Sequence, residues 1–194
     1  MRKLIVCNIM SLDGYYTGPG GNIMVMPMDP TFDRFNVEHM RSADTLLLGR
    51  TSYEGFISYW PPVADDPTAS EDNREISRRY RDVGIVVVSD SLNVDAGAPL
   101  ASRTAVVRRA AAVDHVADLK KQPGGDILVF GSRTMWSGLL ASGQVDELHV
   151  MIGGVVVGGG TPMFADAVPA GLRLLDASMN PGSQNVIVRY AVGS

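Results

Sequence analysis

The chain has 194 residues, of which 45% are hydrophobic and 20% are charged, and this balance is typical of one folded domain in water. Its net charge of −4 argues against a general nucleic-acid-binding protein, which needs a basic surface. Cys7 is the only cysteine, which excludes an internal disulfide and a cysteine-cluster zinc site. The three histidines are too scattered to predict a catalytic metal.

The N-terminal segment begins like a secretion signal but does not continue as one. Arg2 and Lys3 precede an apolar run, which Asn8 interrupts before the turn residues Asp13 and Gly14. No cleavage site or transmembrane span follows in the sequence. We therefore expect a cytoplasmic protein with no membrane partner, in which residues 1–194 form a single domain.

Apolar, β-branched runs alternate with helix-like stretches along the chain. The predicted strands are Lys3–Met10, Thr45–Gly49, Gly84–Ser89, Thr104–Arg108, Asp126–Gly131 and Glu147–Ile152. The predicted helices are Pro30–Ser42, Ser52–Ser58, Ser70–Asp82, His115–Lys121 and Ser132–Ala141. Thr31 is a candidate cap for the first helix, and Pro61–Asn73, with its prolines and carboxylates, is predicted to be a surface loop.

The C-terminal part of the chain has the pattern of a β-hairpin. LRLLDAS (172–178) and NVIVRYAV (185–192) are strand-like, and the turn-rich MNPGSQ lies between them. Strands that alternate with helices and end in a hairpin predict a three-layer α/β/α sandwich with a mostly parallel sheet and a terminal antiparallel hairpin.

Small, hydroxyl and arginine residues follow several predicted strands. In open α/β sheets ligands bind beyond the carboxyl ends of the strands, so these residues are the candidates for a site. Gly49 and Gly131 allow a phosphate to approach the backbone, and Thr51 and Ser132 lie where helices begin and free N–H groups bind anions. Arginines next to them add bidentate phosphate contacts.

Each of these features also has a structural interpretation. A glycine after a strand is often only a turn, and Thr51 or Ser132 can be a simple helix cap. Neither G-x-G-x-x-G in a first βα unit nor a P-loop sequence is present, so the familiar dinucleotide and nucleotide motifs are excluded. Two strand–glycine–helix sites together favour a ligand with two separated phosphate groups, such as a dinucleotide.

Several segments occur in an order that resembles one family. They are SLDGYYTG (11–18), LLLGRTSYEGF (46–56), VVVSDSL (86–92), ILVFGSRTMWSGLLASGQVDEL (127–148) and VVVGGGTPMF (155–164). The chain resembles stand-alone relatives of dihydrofolate reductase and of the C-terminal reductase domain of the bacterial riboflavin-biosynthesis deaminase-reductases. The resemblance covers nearly the whole chain and implies a dihydrofolate reductase-like fold with NADPH as hydride donor.

The resemblance also implies roles for individual residues. Gly49, Arg50 and Thr51 would hold cofactor phosphates, with Arg50 and Ser89 near the adenosine 2′-phosphate. Gly131, Ser132, Arg133 and Thr134 would surround the pyrophosphate, and the main chain at Ile9 and Tyr16 would border the nicotinamide. The family resemblance and the apolar Val155–Val157 region make a homodimer the expected assembly.

The substrate and its proton donor are less constrained. Dihydrofolate reductases carry a substrate-binding carboxylate on the first helix, and an ungapped count from Gly49 places that position at Asp33, with Asp29 as a nearby competitor. Asp33 can also be an exposed acid in the first helical turn. Asp13 would lie at the mouth of the cleft, although an Asp-Gly pair is first of all a turn signal.

Phe130 stands where riboflavin-pathway reductases usually carry an acidic residue, and a deaminase half is absent from this sequence. We therefore expect an NADPH-dependent reductase of a small pterin- or pyrimidine-like heterocycle. The alternatives are the 5-amino-6-(5-phosphoribosylamino)uracil reductase of riboflavin biosynthesis, a non-catalytic NADP-binding module, and a flavin or deazaflavin reductase.

Overall fold

The computed structural model describes residues 1–164 and 171–193. The strands are β1 (Leu4–Ser11), β2 (Tyr15–Thr17), β3 (Ala43–Gly49), β4 (Gly84–Val88), β5 (Thr104–Val107), β6 (Asp126–Phe130), β7 (Glu147–Gly153), β8 (Thr161–Pro162), β9 (Leu172–Met179) and β10 (Val186–Val192). The helices are α1 (Pro30–Ser42), α2 (Arg50–Val63), α3 (Glu71–Tyr80), α4 (Ala112–Lys121) and α5 (Arg133–Ala141). The expected single domain spans all 194 residues, and its residues 165–170 and 194 lie outside this description.

Eight strands form one sheet in the order β5-β4-β3-β6-β1-β7-β10-β9. The six strands from β5 to β7 are parallel, whereas β10 is antiparallel to both β7 and β9. The short strands β2 and β8 pair separately. The predicted parallel sheet with a terminal antiparallel hairpin is therefore confirmed.

The alternation of side chains along the strands divides the core into two layers. Ile5 and Cys7 of β1 face a cluster that contains Phe35 of α1 and Ile76 of α3. Leu4 of β1 faces a second cluster that α4 and α5 cover. Since side chains point alternately to the two faces of a strand, this pattern buries both faces and produces the predicted three layers.

The segment around α2 and α3 differs from the prediction. Helix α2 continues through Pro61 and Pro62 to Val63, so these residues are not part of a loop. A proline removes a backbone donor inside a helix. Ser77 of α3 stabilises this end of α2, because its hydroxyl donates to the Trp60 carbonyl at 2.5 Å. This tertiary contact offsets the local signal that predicted a loop over Pro61–Asn73.

Helix α1 is capped by Asp29, not by Thr31 as expected. One carboxylate oxygen of Asp29 accepts hydrogen bonds from the backbone N–H groups of Thr31 and Phe32, at 2.9 and 3.2 Å. The other accepts from the Ser183 hydroxyl at 2.6 Å. Asp29 therefore joins the start of α1 to the turn between β9 and β10.

In the described ranges, no helix is long and apolar enough to cross a membrane.

Candidate functional site

Two strand-to-helix junctions lie side by side at the carboxyl edge of the sheet. Strand β3 ends at Gly49 and α2 begins at Arg50, while β6 ends at Phe130 and α5 begins at Arg133. Because β3 and β6 are adjacent parallel strands, the first turns of both helices open at the same edge. The sequence predicted this arrangement of two helix N-termini.

Hydrogen bonds connect the two junctions directly. The Gly49 N–H donates to the Ser132 hydroxyl, and the Ser132 N–H donates to the Ser52 hydroxyl, both at 2.9 Å. Ser132 has a left-handed backbone with φ of 56°, and its hydroxyl does not cap α5. Ser52 was missed as a site residue, because a serine in the third position of a helix carries no signal for a contact 80 residues away.

Gly131 is required at the second junction. Its φ of 59° lies in the left-handed region, which residues with a side chain rarely adopt. A Cβ at this position would lie 2.8 Å from the Ser52 hydroxyl and 3.1 Å from the Tyr16 hydroxyl. The glycine therefore allows the Ser52 and Tyr16 hydroxyls to lie close to the backbone at this junction.

A cleft of about 820 Å³ opens above these junctions, and we call it the carboxyl-edge cleft. Its lining includes the predicted residues Tyr16, Gly49, Arg50, Thr51, Ser132, Arg133 and Thr134, together with Thr17, Gly21, Ser52, Val88, Ser91, Arg109, Ala112, Val113, Met135, Gly138, Leu139 and Thr161. Three arginines and no carboxylate occur among these described lining residues, although the chain carries 21 acidic residues against 17 lysines and arginines. The cleft therefore favours an anionic ligand.

The three arginines differ in how they are held. Arg50 donates to Glu54 at 2.7 Å and to the Ser91 hydroxyl at 2.9 Å, so two side chains hold its guanidinium in place. Arg109 lies 3.6 Å from Asp90 and is largely exposed. Within the described part of the chain, Arg133 makes no ion pair, so its positive charge faces the cleft uncompensated.

Ser89 lies at the end of β4 but does not line the cleft. Its side chain is buried, and its hydroxyl accepts hydrogen bonds from the N–H groups of Ser91 and Leu92 at 3.2 and 3.0 Å. Ser91, two residues further on, lines the cleft and contacts Arg50 instead. The role of Ser89 near the adenosine 2′-phosphate therefore stays a prediction, and Ser91 is the hydroxyl residue of this turn that lines the cleft.

Ile9 lies in β1, and Tyr16 lies in β2, the short strand that follows it. Strand β1 continues to Ser11, four residues beyond Cys7, which is the last β1 residue that pairs with β6. Ile9 is buried in the core and its role beside a nicotinamide remains a prediction. Tyr16 lines the cleft, and burial raises the pKa of its hydroxyl to about 12, so it keeps its proton at neutral pH.

Asp33 faces α3 rather than the carboxyl-edge cleft. Its carboxylate accepts hydrogen bonds from the Asn73 amide at 3.0 Å and from the Ser70 hydroxyl at 3.5 Å. Burial raises the pKa of Asp33 above its usual range, and the bond from Asn73 opposes that shift. Its catalytic role stays a prediction, and Asp29 is already engaged as the cap of α1.

Asp13 lies in the turn after β1, and both of its oxygens are engaged by the protein. They accept hydrogen bonds from the Ser11 hydroxyl and from the backbone N–H groups of Val157 and Gly158. The Ser11 hydroxyl is the main reason that the pKa of Asp13 falls to about 2. A substrate contact by Asp13 stays a prediction, and it would have to add to these three bonds.

The glycine pair after β7 also has a structural reason. A Cβ at Gly153 would lie 2.6 Å from Pro27, and one at Gly154 would lie 3.0 Å from the Gln184 carbonyl oxygen. A side chain at Gly153 would therefore displace the first loop at Pro27, and one at Gly154 would displace the β9–β10 turn at Gln184.

The model of the RibD C-terminal domain family matches residues 2–188. The chain belongs to this family. It is 29% identical over 166 residues to the uncharacterized protein YyaP of Bacillus subtilis (strain 168). The matched region covers 85% of this chain and 81% of YyaP.

Two solved structures have the same fold. A putative riboflavin biosynthesis protein from Shewanella sp. PV-4 has a TM-score of 0.73 at 19% identity, over 99% of each chain. Dihydrofolate reductase from Enterococcus faecalis, in complex with NADP(H), has a TM-score of 0.60 at 13% identity, over 99% of this chain and 97% of that enzyme. The dihydrofolate reductase-like fold is therefore confirmed.

Proposed function

We propose that the protein is an NADPH-dependent reductase that transfers hydride to a small pterin- or pyrimidine-like heterocycle. The observation that carries this proposal is the carboxyl-edge cleft, where two helix N-termini meet and where the described lining residues include three arginines and no carboxylate. Membership of the RibD C-terminal domain family supports a reductase, and the NADP(H) bound by the structurally similar dihydrofolate reductase supports this cofactor.

The residues of the cleft suit the two phosphate-bearing groups of NADPH, the pyrophosphate and the 2′-phosphate. The first turns of α2 and α5 present free N–H groups and the positive ends of their dipoles. Gly131, with no side chain, lets the Ser52 and Tyr16 hydroxyls lie close to the backbone at the second junction. A volume of about 820 Å³ is within the range of cofactor sites.

The chain's own residues would bind and orient, and NADPH would supply the hydride. Arg133 and Thr134 would hold the pyrophosphate at the start of α5. Arg50, whose guanidinium is oriented by hydrogen bonds to Ser91 and Glu54, would select the 2′-phosphate by bidentate hydrogen bonds. Tyr16 would form the wall of the cleft on the nicotinamide side. Catalysis would come mainly from positioning the reactants in a site that excludes water.

An Arg50→Ala variant tests the cofactor assignment. We expect its Kd for NADPH to rise on the order of 10-fold or more, with a change of less than about threefold for NADH, because only NADPH carries the 2′-phosphate. Fluorescence titration of both cofactors measures this. Arg103→Ala is the control, since Arg103 bonds the Asp82 carbonyl and does not line the cleft. Equal losses for NADPH and NADH would remove Arg50 from this role.

A non-catalytic NADP-binding module is the second candidate, and the position of Asp33 favours it. Asp33, the first of the acids predicted to assist the substrate, is bonded to Asn73 and Ser70 and is not among the residues that line the cleft. NADPH consumption with a panel of oxidised pterins and pyrimidines, including 5-amino-6-(5-phosphoribosylamino)uracil, separates the candidates. Turnover that is lost in Asp33→Asn would exclude the module, whereas NADPH binding with no turnover of any compound would favour it.

We also propose that the chain forms a homodimer. Two apolar surfaces support this: Val156, which is 69% exposed, and the edge strand β9, where Leu174 and Met179 are 53% and 65% exposed. A mass of twice the chain by light scattering is the expected result. Val156→Glu and Leu174→Glu would show which surface holds the two copies together, and a monomeric wild type would exclude the dimer.

A further inference from the structure

Two loops that are distant in the sequence form one wall of the carboxyl-edge cleft. The first follows β1 and contains β2, and the second follows β7 and contains β8. The strands pair through Tyr15 with Pro162 and Thr17 with Thr161. Of these loop residues, Tyr16, Thr17 and Thr161 line the cleft. The position of this wall therefore depends on how the two loops are held together.

The second loop contains a run of glycines, which have no side chains to hold it in place. It contains Gly158, Gly159 and Gly160 in a row, and φ is 73° at Gly158 and 127° at Gly160. A Cβ at Gly160 would overlap the Thr17 carbonyl oxygen, so the two backbones are in direct contact there. Three consecutive glycines lose more conformational entropy on ordering than other residues do. An ordered loop of this composition needs an anchor from elsewhere in the protein.

Asp13 provides such an anchor. Its Oδ2 accepts a hydrogen bond from the Gly158 N–H at 2.8 Å, and its Oδ1 accepts one from the Val157 N–H at 3.1 Å. The Ser11 hydroxyl donates to the same Oδ1 at 2.6 Å and accepts from the Tyr15 N–H at 2.9 Å. One carboxylate thus joins the start of β2 to the first residue of the glycine run.

We infer that Asp13 is a positioning residue, which ties the two loops together and so sets the cleft wall that carries Tyr16, Thr17 and Thr161. In this role Asp13 acts on cofactor binding through the backbone of the two loops. The inference rests on the proposed function only for its consequence, which is cofactor affinity. The connection between the loops is a property of the ligand-free protein.

Hydrogen exchange in the ligand-free protein tests the connection. In Asp13→Ala we expect amide exchange at Tyr15–Thr17 and Val157–Thr161 to accelerate on the order of 10-fold or more, because hydrogen bonds to a charged acceptor are lost. Asp13→Asn keeps one carbonyl acceptor and should give an intermediate rate. Asp95→Ala is the matched control, since Asp95 accepts from the Gly97 N–H within its own turn and joins no second loop.

NADPH titration of the same variants tests the consequence. We expect Kd for NADPH to rise about 5- to 20-fold in Asp13→Ala, less in Asp13→Asn, and not in Asp95→Ala, with melting temperatures within a few degrees of the wild type. Unchanged exchange in both loops of Asp13→Ala would overturn the inference, as would faster exchange with unchanged NADPH affinity. If the wild type itself binds no NADPH, the proposed cofactor fails, and exchange at Tyr15–Thr17 still decides whether Asp13 positions the wall.

Discussion

The two edges of the central sheet carry polar residues in very different arrangements. At the carboxyl edge, the described residues that line the cleft include Arg50, Arg109 and Arg133 and no carboxylate. At the opposite edge, where β1, β6 and β7 begin, a cavity of about 320 Å³ is lined by charges of both signs. We call it the amino-edge cavity. Its residues are Lys3, Ile5, Glu38, His39, Ser42, Asp126, Glu147, His149 and Arg189.

Most of the charges in the amino-edge cavity satisfy one another. Lys3 donates to Glu147 at 2.7 Å, and the other oxygen of Glu147 lies 2.7 Å from a ring nitrogen of His149. The second ring nitrogen of His149 lies 2.6 Å from His39, whose remaining nitrogen lies 2.6 Å from the Phe35 carbonyl oxygen. This chain of contacts connects α1 to β7, so its groups have partners within the protein.

The difference separates a binding site from a structural cluster. Charges of one sign that line an open cleft, and of which only some are paired, hold electrostatic energy that a ligand can use. Balanced and mutually bonded charges leave little for a ligand, and their removal is expected to affect folding first. The comparison therefore predicts that substitutions at the carboxyl edge change cofactor affinity, and that substitutions at the amino edge change stability.

Gly131→Ala should give the largest effect at the carboxyl edge. A methyl group there forces a side chain into the left-handed region and against the Ser52 hydroxyl. We expect a loss of about 2 to 4 kcal/mol in the free energy of unfolding and an NADPH affinity lowered on the order of 10-fold or more. Chemical denaturation and cofactor titration measure the two quantities.

Gly138→Ala is the matched control for that substitution. Gly138 also lines the cleft, but it lies inside α5 and no atom lies within 4 Å of a Cβ built on it. We expect the alanine to stabilise the helix by up to about 1 kcal/mol. An equal loss of stability in both variants would show that the Gly131 junction has no special geometry.

The regular pattern of the chain was sufficient to predict the fold and the two junctions. Leu46–Gly49 and Ile127–Phe130 are continuous apolar runs that end at a glycine or just before one, and the structure places them on adjacent parallel strands. The period of the side chains and the position of each glycine are local properties, so they can be read without knowing what each segment contacts.

The sequence alone does not determine the contacts between segments that are distant along the chain. Ser89 and Ser91 are both hydroxyl residues after β4, and only the turn geometry decides which of them faces the cleft. Asp33 was assigned by an ungapped count along the chain, whereas its direction is set by Asn73 and Ser70 of another segment. Side-chain direction depends on tertiary partners, and a single sequence does not contain them.

His39→Gln tests the amino edge and should give the smaller effect. Burial lowers the pKa of His39 to about 4 from an ordinary value of 6.5, and the pKa of His149 is also lowered mainly by burial. The unfolded chain therefore binds protons at a higher pH than the native protein does. The contribution of these two histidines to the free energy of unfolding is complete above about pH 6.5. It decreases by on the order of 1 to 3 kcal/mol as the pH falls toward their pKa values in the folded protein.

We expect this slope between pH 6.5 and about 4 to become shallower in His39→Gln, because the variant lacks one of the two buried imidazoles. Urea denaturation across that range measures it. At pH 7 the variant should be less stable than the wild type, since its amide cannot reproduce both the contact with His149 and that with Phe35. Its NADPH affinity at pH 7 should stay within about twofold of the wild type, because the two edges of the sheet are separate. A wild-type slope in the variant, or a large loss of NADPH affinity, would contradict the division between a binding edge and a structural edge.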